Sequence, residues 1–286
     1  MLASMTEVMA YANKHKCAIG AFNTPDIANL RAVIDAAEEL NVPTIIMHAQ
    51  VHEPFAPIDY VAPAMLAAAK KAKVPVCMHL DHGEDVEYCK HGIDLGFNSI
   101  MFDGSTLPYE ENVACTKAVV AYAKQHGACV EGEIGAMGKR EMGNGEDAGD
   151  AETVYTDPDL AKRYVDETGV DILACSFGTA HGLYLKAPQL NYDVLAAITE
   201  RIDAPIVMHG GSGVSNDDYR KVIAAGVRKI NYFTYMSKAG GEALRAYVQE
   251  RADGRPVYTY EAADRVYEPL KEHIKGAMKV FLRMDK

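Results

Sequence analysis

The chain lacks an excess of basic residues, a long hydrophobic run and a signal peptide. Acidic residues outnumber basic ones by 40 to 29, which gives a formal net charge of −11 and disfavours binding to nucleic acids or anionic membranes. No apolar run approaches the ~20 residues that a membrane span needs. Residues 1–16 lack the basic start and unbroken apolar stretch of a signal peptide, and they predict an amphipathic helix. We therefore expect a protein with no nucleic-acid partner and no membrane partner.

Closely paired cysteines are also missing. The six cysteines, at positions 17, 77, 89, 115, 129 and 175, include no C-x-x-C pair. Cys77, Cys129 and Cys175 lie inside apolar, strand-like runs, where cysteine usually serves as a small buried hydrophobe. A disulfide framework is not expected in a chain of 286 residues. The cysteine usage therefore predicts a reducing, cytoplasmic compartment.

Short runs rich in Val, Ile, Ala and Cys recur along the chain and predict eight β-strands. They are Ala18–Asn23, Thr44–His48, Val74–His79, Ser99–Asp103, Cys129–Ile134, Asp171–Phe177, Pro205–His209 and Arg228–Tyr232. Segments of helical period lie between them, and include Asp26–Leu40, Tyr60–Ala72, Glu110–His126 and Asp157–Thr168. Strands that are apolar throughout indicate a parallel sheet covered by helices. The chain is therefore predicted to be an α/β protein, with residues 1–286 forming a (β/α)8 TIM barrel as a single domain.

Polar residues stand at or near the carboxyl ends of seven predicted strands or just beyond them. In strand order they are Asn23, then Asp81 with His82, Asp103, Glu133, His181, His209 and Asn231. Active sites of such barrels are built from the carboxyl ends of the strands and the loops that follow. These residues are therefore predicted to meet at one rim of the barrel.

Three of these residues are histidines, in the segments HLDHG (His82), SFGTAHGLY (His181) and PIVMHGGSG (His209). Three imidazoles leave an open position on a divalent cation, which is typical of a catalytic zinc site. A single histidine at a strand end is more often a loop or packing residue, but three at one rim favour a metal site. Loop or packing roles are assigned to His15, His48, His52, His79, His91, His126 and His273, with His79 pointing into the barrel.

Two turns near the end of the chain are candidates for anion binding. His209–Gly213 leads into a helix predicted to start near Ser215, so the amides of the glycines and serine there could point at an anion. Asn231 and Thr234 follow the eighth predicted strand. The loops after strands seven and eight commonly form the phosphate site of such barrels. A GGSG turn alone is weak evidence, because such turns are also common linkers.

Assembled in order, the motifs GAFN, HLDHG, FDGS, VEGEIG, TDP, TGVDILACSFGTAHGLY, PIVMHGGSG and K-I-N-x-x-T span nearly the whole chain. In this order and spacing the chain resembles the class II, metal-dependent fructose-bisphosphate aldolase family, and within it the branch of bacterial tagatose-bisphosphate aldolases. The resemblance implies reversible cleavage of fructose-1,6- or tagatose-1,6-bisphosphate to dihydroxyacetone phosphate and an aldehyde such as glyceraldehyde 3-phosphate.

The resemblance also implies roles for individual residues. His82, His181 and His209 bind Zn²⁺, Asp81 exchanges a proton with the substrate hydroxyl, and Asp103 and Glu133 contribute to a second or displaced metal position. The residues implied to bind substrate are Gly182, Gly210, Gly211, Ser212, Asn231 and Thr234, with Asn23 at the same rim as a further candidate. A monovalent cation, Na⁺ or K⁺, is expected to assist phosphate binding.

Family members are usually oligomers, so a homodimer or homotetramer is expected. The C-terminal segment Tyr260–Met284 predicts a long helix with apolar positions Val266, Leu270, Ile274, Met278 and Leu282. That apolar face fits either a subunit interface or packing on the helix's own barrel, because periodicity does not distinguish the two.

The sequence leaves alternatives for the loop glutamate, for the second phosphate site and for the sugar. The loop glutamate that moves the enolate proton is Glu141 or Glu146, and candidates for the second phosphate are Lys139, Arg140 and Lys186. Ala49 and Gln50 stand where some family members have serine or threonine, which leaves the sugar unassigned. Alternatives are an aldolase for another ketose or deoxy-sugar acid phosphate, and a non-catalytic sugar-phosphate binding barrel.

A Schiff-base aldolase is the nearest mechanistic rival. Such an enzyme needs a buried lysine inside the barrel. Lys229 is expected at the exposed start of strand eight, so the sequence disfavours this mechanism.

Overall fold

Eight parallel strands pair in chain order, and the first pairs with the last to close a barrel. The computed structural model describes residues 1–135, 155–184 and 187–284. The strands are β1 (Ile19–Asn23), β2 (Thr44–Ala49), β3 (Val76–Gly83), β4 (Ser99–Phe102), β5 (Cys129–Ile134), β6 (Ile172–Cys175), β7 (Ile206–Met208) and β8 (Val227–Asn231). The predicted (β/α)8 barrel is confirmed.

Helices surround the strands. They are α1 (Met5–His15), α2 (Ile27–Leu40), α3 (Ile58–Lys71), α4 (Val86–Asp94), α5 (Tyr109–His126), α6 (Pro158–Thr168), α7 (Tyr192–Arg201), α8 (Asn216–Ala224), α9 (Thr234–Gln249) and α10 (Thr259–Phe281), with a 3-10 turn at Gln50–His52. Asp26, Asp157 and Ser215 each accept a backbone N–H at a helix start. Such caps satisfy amide groups that have no partner inside the helix, and they fix where α2, α6 and α8 begin.

Helix α1 closes the amino-terminal end of the barrel. Its buried Met5 and Met9 pack in one cluster with Ile19, Ile45 and Cys77, which lie on successive strands β1, β2 and β3. The bridge of Leu2 to Val76 fixes the segment that precedes α1 at the start of β3. This end of the barrel is filled by side chains, so the opposite rim is the place for a site.

The apolar face of the C-terminal helix packs on its own chain. Leu270, Ile274 and Met278 are at most 2% exposed, and Lys275 pairs with Glu39 of α2 at 2.7 Å. Of the two interpretations of this helix, the structure supports packing on the barrel. The homodimer or homotetramer stays a prediction.

The cysteines form no disulfide, and only Cys115 is partly exposed. Among the described residues, no helix has both the length and the apolar character that crossing a membrane requires.

Candidate metal centre and active site

The three histidines predicted to bind metal converge at the carboxyl end of the barrel strands. His82 lies in β3, His209 follows β7 directly, and His181 lies in the loop after β6. His82 Nε2 is 3.2 Å from His181 Nε2 and 2.9 Å from His209 Nδ1. The folded barrel thus brings together side chains that are up to 127 positions apart in the sequence.

The spacing of these ring nitrogens fits a divalent metal ion. Nitrogen ligands of a tetrahedral zinc site, with bonds of about 2.0–2.1 Å, lie about 3.3 Å from one another. The observed distances of 2.9 and 3.2 Å are close to that value. One ligand nitrogen from each of the three histidines lies within 4.8 Å of the other two. Neutral imidazole nitrogens offer lone pairs, so a cation at their centre would relieve their mutual repulsion.

His82 and Asp81 reach the same rim because the backbone departs from a regular strand. Neighbouring residues of a strand point to opposite faces of the sheet. His82 has a left-handed φ of 46°, and the register between β3 and β4 shifts between Leu80 and Gly83. Such strained conformations in residues other than glycine are concentrated at functional sites. Strand β3 (Val76–Gly83) begins and ends later than the predicted Val74–His79. Asp81 and His82 lie within its irregular part, and both line the cavity.

Carboxylates hold the outer nitrogens of two of the histidines. Asp103 Oδ2 lies 2.7 Å from His82 Nδ1, and Glu131 Oε1 lies 2.7 Å from His209 Nε2. Histidines that bind metals commonly donate their second N–H to a carboxylate, which fixes the ring and its tautomer. Sequence reasoning missed Glu131. Its spacing of two from Glu133 in β5 was the available signal, because such residues share one face of a strand.

Asp103 and Glu133 also lie beside His82, but at its other ring nitrogen. The three residues form a second group that could hold a metal ion, and Glu133 Oε2 is 4.0 Å from His82 Nδ1. This oxygen is buried and has no hydrogen-bond partner among the described residues. Burial, and the nearby charge of Asp103, raise the pKa of Glu133 well above its ordinary value. The second metal position stays a prediction.

Asp81 is buried between two asparagines. Its Oδ2 accepts a hydrogen bond from Asn23 Nδ2 at 3.1 Å, and its Oδ1 accepts one from Asn231 Nδ2 at 2.9 Å. Burial raises the pKa of Asp81, but positive charge around it outweighs burial and leaves the pKa well below its ordinary range. The first of these charges is that of His82 in its protonated form, which has no metal ion bound at that ring. The carboxylate is therefore ionised and held in one orientation at the base of the cavity.

The expectation that Lys229 lies at the exposed start of strand eight is wrong. This lysine is fully buried inside the barrel, where its Nζ donates to Glu131 Oε2 and to Asn231 Oδ1, both at 2.8 Å. Strand β8 begins at Val227, so Lys229 is its third residue rather than its exposed start. His79 points into the barrel as predicted, with Nδ1 2.7 Å from Ser99 Oγ. An ion pair with extra hydrogen bonds satisfies charges that burial would otherwise make costly.

The glycine-rich turn after β7 packs tightly against neighbouring backbone. A Cβ at Gly210, whose φ is 60°, would lie 2.4 Å from Ala180 O, and one at Gly211 would lie 2.7 Å from Asn231 O. Helix α9 begins at Thr234 without a side-chain cap, whereas Ser215 caps α8. The uncapped first turn of α9 keeps N–H groups for an anion.

One cavity of about 290 Å³ joins these features. The predicted residues in its wall are Asn23, Asp81, His82, Asp103, Glu133, His181, Gly182, Gly210, Gly211, Ser212, Asn231 and Thr234. His209 is fully buried behind this wall. His52, assigned to a loop or packing role from the sequence, also lines the cavity. Glu141, Glu146, Lys139, Arg140 and Lys186 lie outside the described residues.

Comparisons with known proteins agree with this arrangement. The family described as "Fructose-bisphosphate aldolase class-II" matches residues 3–286. D-tagatose-1,6-bisphosphate aldolase subunit GatY of Klebsiella oxytoca is 36% identical over 88% of this chain and 88% of that protein. 6-phospho-5-dehydro-2-deoxy-D-gluconate aldolase of Halalkalibacterium halodurans is 36% identical, over 98% and 96%. The crystal structure of the YdjI aldolase from Escherichia coli K12 superposes with a TM-score of 0.84 and 31% identity, over 98% of this chain and 97% of that one.

Proposed function

Because this chain belongs to the class II fructose-bisphosphate aldolase family, we propose that it is a zinc-dependent aldolase for a ketose bisphosphate. As a member of that family it is a lyase, and aldol cleavage is its reaction class. The proposed substrates are fructose-1,6- and tagatose-1,6-bisphosphate, cleaved reversibly to dihydroxyacetone phosphate and glyceraldehyde 3-phosphate. The observation that carries this proposal is the convergence of three imidazole nitrogens beside a buried aspartate, with spacings of 2.9 and 3.2 Å.

His82, His181 and His209 would hold the zinc ion. Zinc, when bound, supplies Lewis-acid stabilisation of the negative charge that builds up on the substrate when the bond between C3 and C4 breaks. Asp103 and Glu131 keep the rings of His82 and His209 in place through hydrogen bonds of 2.7 Å. The chain thereby presents three fixed ligands and leaves an open side toward the cavity.

Asp81 is the proposed acid–base residue. In cleavage its carboxylate takes the proton of the C4 hydroxyl, and in condensation it returns that proton to the aldehyde oxygen. The amides of Asn23 and Asn231 each donate to one carboxylate oxygen, so the group is kept in one orientation. Asp81 is ionised, so its carboxylate has a lone pair for this proton.

The phosphate of dihydroxyacetone phosphate is proposed to bind where the loops after β7 and β8 meet. Gly210, Gly211 and Ser212 bring backbone to the cavity wall, and the uncapped start of α9 at Thr234 adds further N–H groups. Fixing the phosphate at this point holds the reacting carbons in one position relative to Asp81. The monovalent cation stays a prediction for this end of the cavity.

The structure places a buried lysine inside the barrel, so a Schiff-base mechanism needs a test. Lys229 is paired with Glu131 at 2.8 Å, and an ion-paired ammonium is not a nucleophile. Borohydride reduction in the presence of dihydroxyacetone phosphate traps a Schiff base as a stable adduct. We expect no adduct, and trapping on Lys229 would contradict the zinc mechanism.

A second candidate substrate is suggested by the relatives of this chain. One relative of 36% identity is named 6-phospho-5-dehydro-2-deoxy-D-gluconate aldolase, which supports a deoxy-sugar acid phosphate as the alternative substrate. Among the described residues that line the cavity, none is lysine or arginine. Lys139, Arg140 and Lys186, which lie outside the described residues, stay the proposed partners of a second phosphate. We further propose that residues 1–286 act as one domain, in an oligomer, in the cytoplasm.

The deciding experiment measures metal content and product release together. The purified protein is assayed with fructose-1,6-bisphosphate, tagatose-1,6-bisphosphate and 6-phospho-5-dehydro-2-deoxy-D-gluconate, before and after a chelator removes the metal. We expect dihydroxyacetone phosphate from a bisphosphate, loss of activity on metal removal, and recovery on adding Zn²⁺. Undiminished activity in the metal-free protein would show that the zinc proposal is wrong.

A further inference from the structure

We propose that Gln50 and His52, in the 3-10 turn after β2, bind hydroxyl groups of the aldehyde half of the substrate and select hydroxylated aldehydes. The inference rests on the proposed function, because it takes dihydroxyacetone phosphate to occupy the glycine-rich side of the cavity. Gln50 and His52 lie outside the proposed metal, acid–base and phosphate sites.

Both residues lie on the side of the cavity next to Asp81. Ala49 is the register partner of Asp81 between β2 and β3, and Gln50 follows it directly. Gln50, His52 and Asp81 line the same cavity. Asp81 is proposed to meet the oxygen at C4, so atoms beyond C4 extend along this wall.

The side chain of Gln50 is fixed at one end. Its Oε1 accepts the backbone N–H of Glu84 at 2.8 Å, which ties the β2 loop to the loop after β3. This bond assigns the oxygen and nitrogen of the amide, because only the oxygen accepts. Nε2 makes no hydrogen bond to any described residue, so its two N–H groups are open to a ligand in the cavity that Gln50 lines.

His52 is a buried ring with an unsatisfied nitrogen. The side chain packs against Phe233 and Phe55, with ring centroids 5.2 and 5.3 Å away. Its Nδ1 is buried and has no hydrogen-bond partner among the described residues. Burial lowers the pKa of His52, so the ring is neutral and carries one donor and one acceptor. A neutral imidazole has one N–H and one lone pair, so the ring can form a hydrogen bond with a hydroxyl group in either tautomer.

The loop that carries both residues is braced before any ligand arrives. The Glu53 carboxylate accepts the N–H of Ile58 at 2.9 Å, and the hydroxyl of Tyr88 at 2.6 Å. These bonds join the loop to the start of α3 and to α4. A preformed wall avoids the entropy cost of ordering a loop around the substrate.

The chemistry of this wall suits hydroxyl groups. Amide N–H groups and a neutral imidazole offer directed hydrogen bonds, and neither adds a net charge. A site built to hydrogen-bond a hydroxyl discriminates strongly against the analogue that lacks it, because the site's own polar groups are then left unpaired. We therefore expect preference for a polyhydroxylated aldehyde over its deoxy counterpart of equal carbon number.

The test compares condensation of dihydroxyacetone phosphate with D-glyceraldehyde and with propionaldehyde, using the zinc-loaded enzyme. The two aldehydes have equal carbon chains and differ by two hydroxyl groups. We expect the wild type to prefer glyceraldehyde in kcat/KM, and each of Gln50→Ala and His52→Phe to reduce that preference by about 3- to 10-fold. Phenylalanine keeps a ring against Phe233 and removes only the hydrogen bonding. Gln125→Ala, at an exposed position of α5, is the matched control and should keep the preference.

Exchange of the carbon-bound proton of dihydroxyacetone phosphate with solvent needs no aldehyde, so it separates the two proposals. Failure of the wild type both to exchange and to condense would contradict the proposed function. Exchange in the wild type, together with an unchanged aldehyde preference in both variants, would overturn the role of Gln50 and His52. Equal losses of exchange and condensation in both variants would also overturn it, because they would indicate a structural role.

Discussion

Glu131 Oε1 lies 2.7 Å from His209 Nε2, and both side chains are fully buried. The contact leaves His209 Nδ1 facing His82 Nε2 at 2.9 Å. The carboxylate therefore selects the tautomer with its proton on Nε2 and keeps the Nδ1 lone pair for a metal ion. The other carboxylate oxygen takes the charge of Lys229 at 2.8 Å, so one buried residue links the metal centre to the barrel interior.

Glu131→Gln is expected to weaken both metal binding and the fold. Zinc affinity should fall by about 10- to 100-fold, because an amide holds the ring of His209 less firmly. The free energy of unfolding should fall by about 3–5 kcal/mol, because Lys229 loses its charged partner in the barrel interior. Competition with a chelator and urea unfolding measure the two effects. Glu87→Gln, an exposed acidic residue of α4, is the control, and wild-type zinc affinity in Glu131→Gln would contradict the role.

A second prediction concerns the three histidines that are proposed to bind zinc. His82→Ala, His181→Ala and His209→Ala should each lose zinc and activity while the barrel stays folded, because no other ring in the described chain reaches the same point. Metal analysis, circular dichroism and the cleavage assay are made on the same preparations. Retention of full activity in any one of them would contradict the assignment of that residue.

The barrel and its rim were predictable because their signals are local. Apolar runs interrupted by helical periods gave strands and helices close to the observed bounds, such as Cys129–Ile134 and Tyr109–His126. Parallel strands of a barrel have their carboxyl ends at one rim, so polar residues at strand ends could be placed together from the sequence. The convergence of His82, His181 and His209 follows from that rule.

The barrel interior was not predictable in the same way. The partners of Glu131 come from other strands, with Lys229 98 positions away and His209 78 positions away. In the sequence, Lys229 follows Arg228 and looks like part of an exposed strand start. Only the closed barrel brings these charges together and removes them from water. His52 was missed for a similar reason, because its contact with Phe233 joins the loops after β2 and β8.

Thiol reactivity should follow burial. Burial raises the pKa of Cys17 to about 11 and that of Cys175 to about 12, and only Cys115 is partly exposed. A thiol with pKa 11 is about 0.1% thiolate at pH 8, and the thiolate is the reactive form. Titration of the native protein with a thiol reagent at pH 8 should therefore modify one cysteine quickly, and six after denaturation. Two or more fast thiols in the native protein would contradict the burial of these cysteines.

Asp81→Ala should separate metal binding from catalysis. Asp81 contacts Asn23 and Asn231 rather than the ring nitrogens of the proposed metal site. The variant should therefore keep zinc and the phosphate site. Cleavage should slow by about 10²–10⁴-fold, which is the usual size of general acid–base catalysis.

Proton exchange on dihydroxyacetone phosphate shows whether the slower cleavage in Asp81→Ala comes from the missing acid–base group. The proton that Asp81 moves is the one on the C4 hydroxyl, and dihydroxyacetone phosphate alone has no such group. Exchange at its carbon should therefore survive better in Asp81→Ala than cleavage does. Glu141→Ala and Glu146→Ala should show the reverse pattern in one case and near-normal behaviour in the other, which identifies the loop glutamate. The rates of solvent-isotope exchange and of cleavage are measured in all three variants. Cleavage by Asp81→Ala at the wild-type rate would mean that another group moves the C4 proton, because no acid–base residue can be removed without cost to the step that it catalyses.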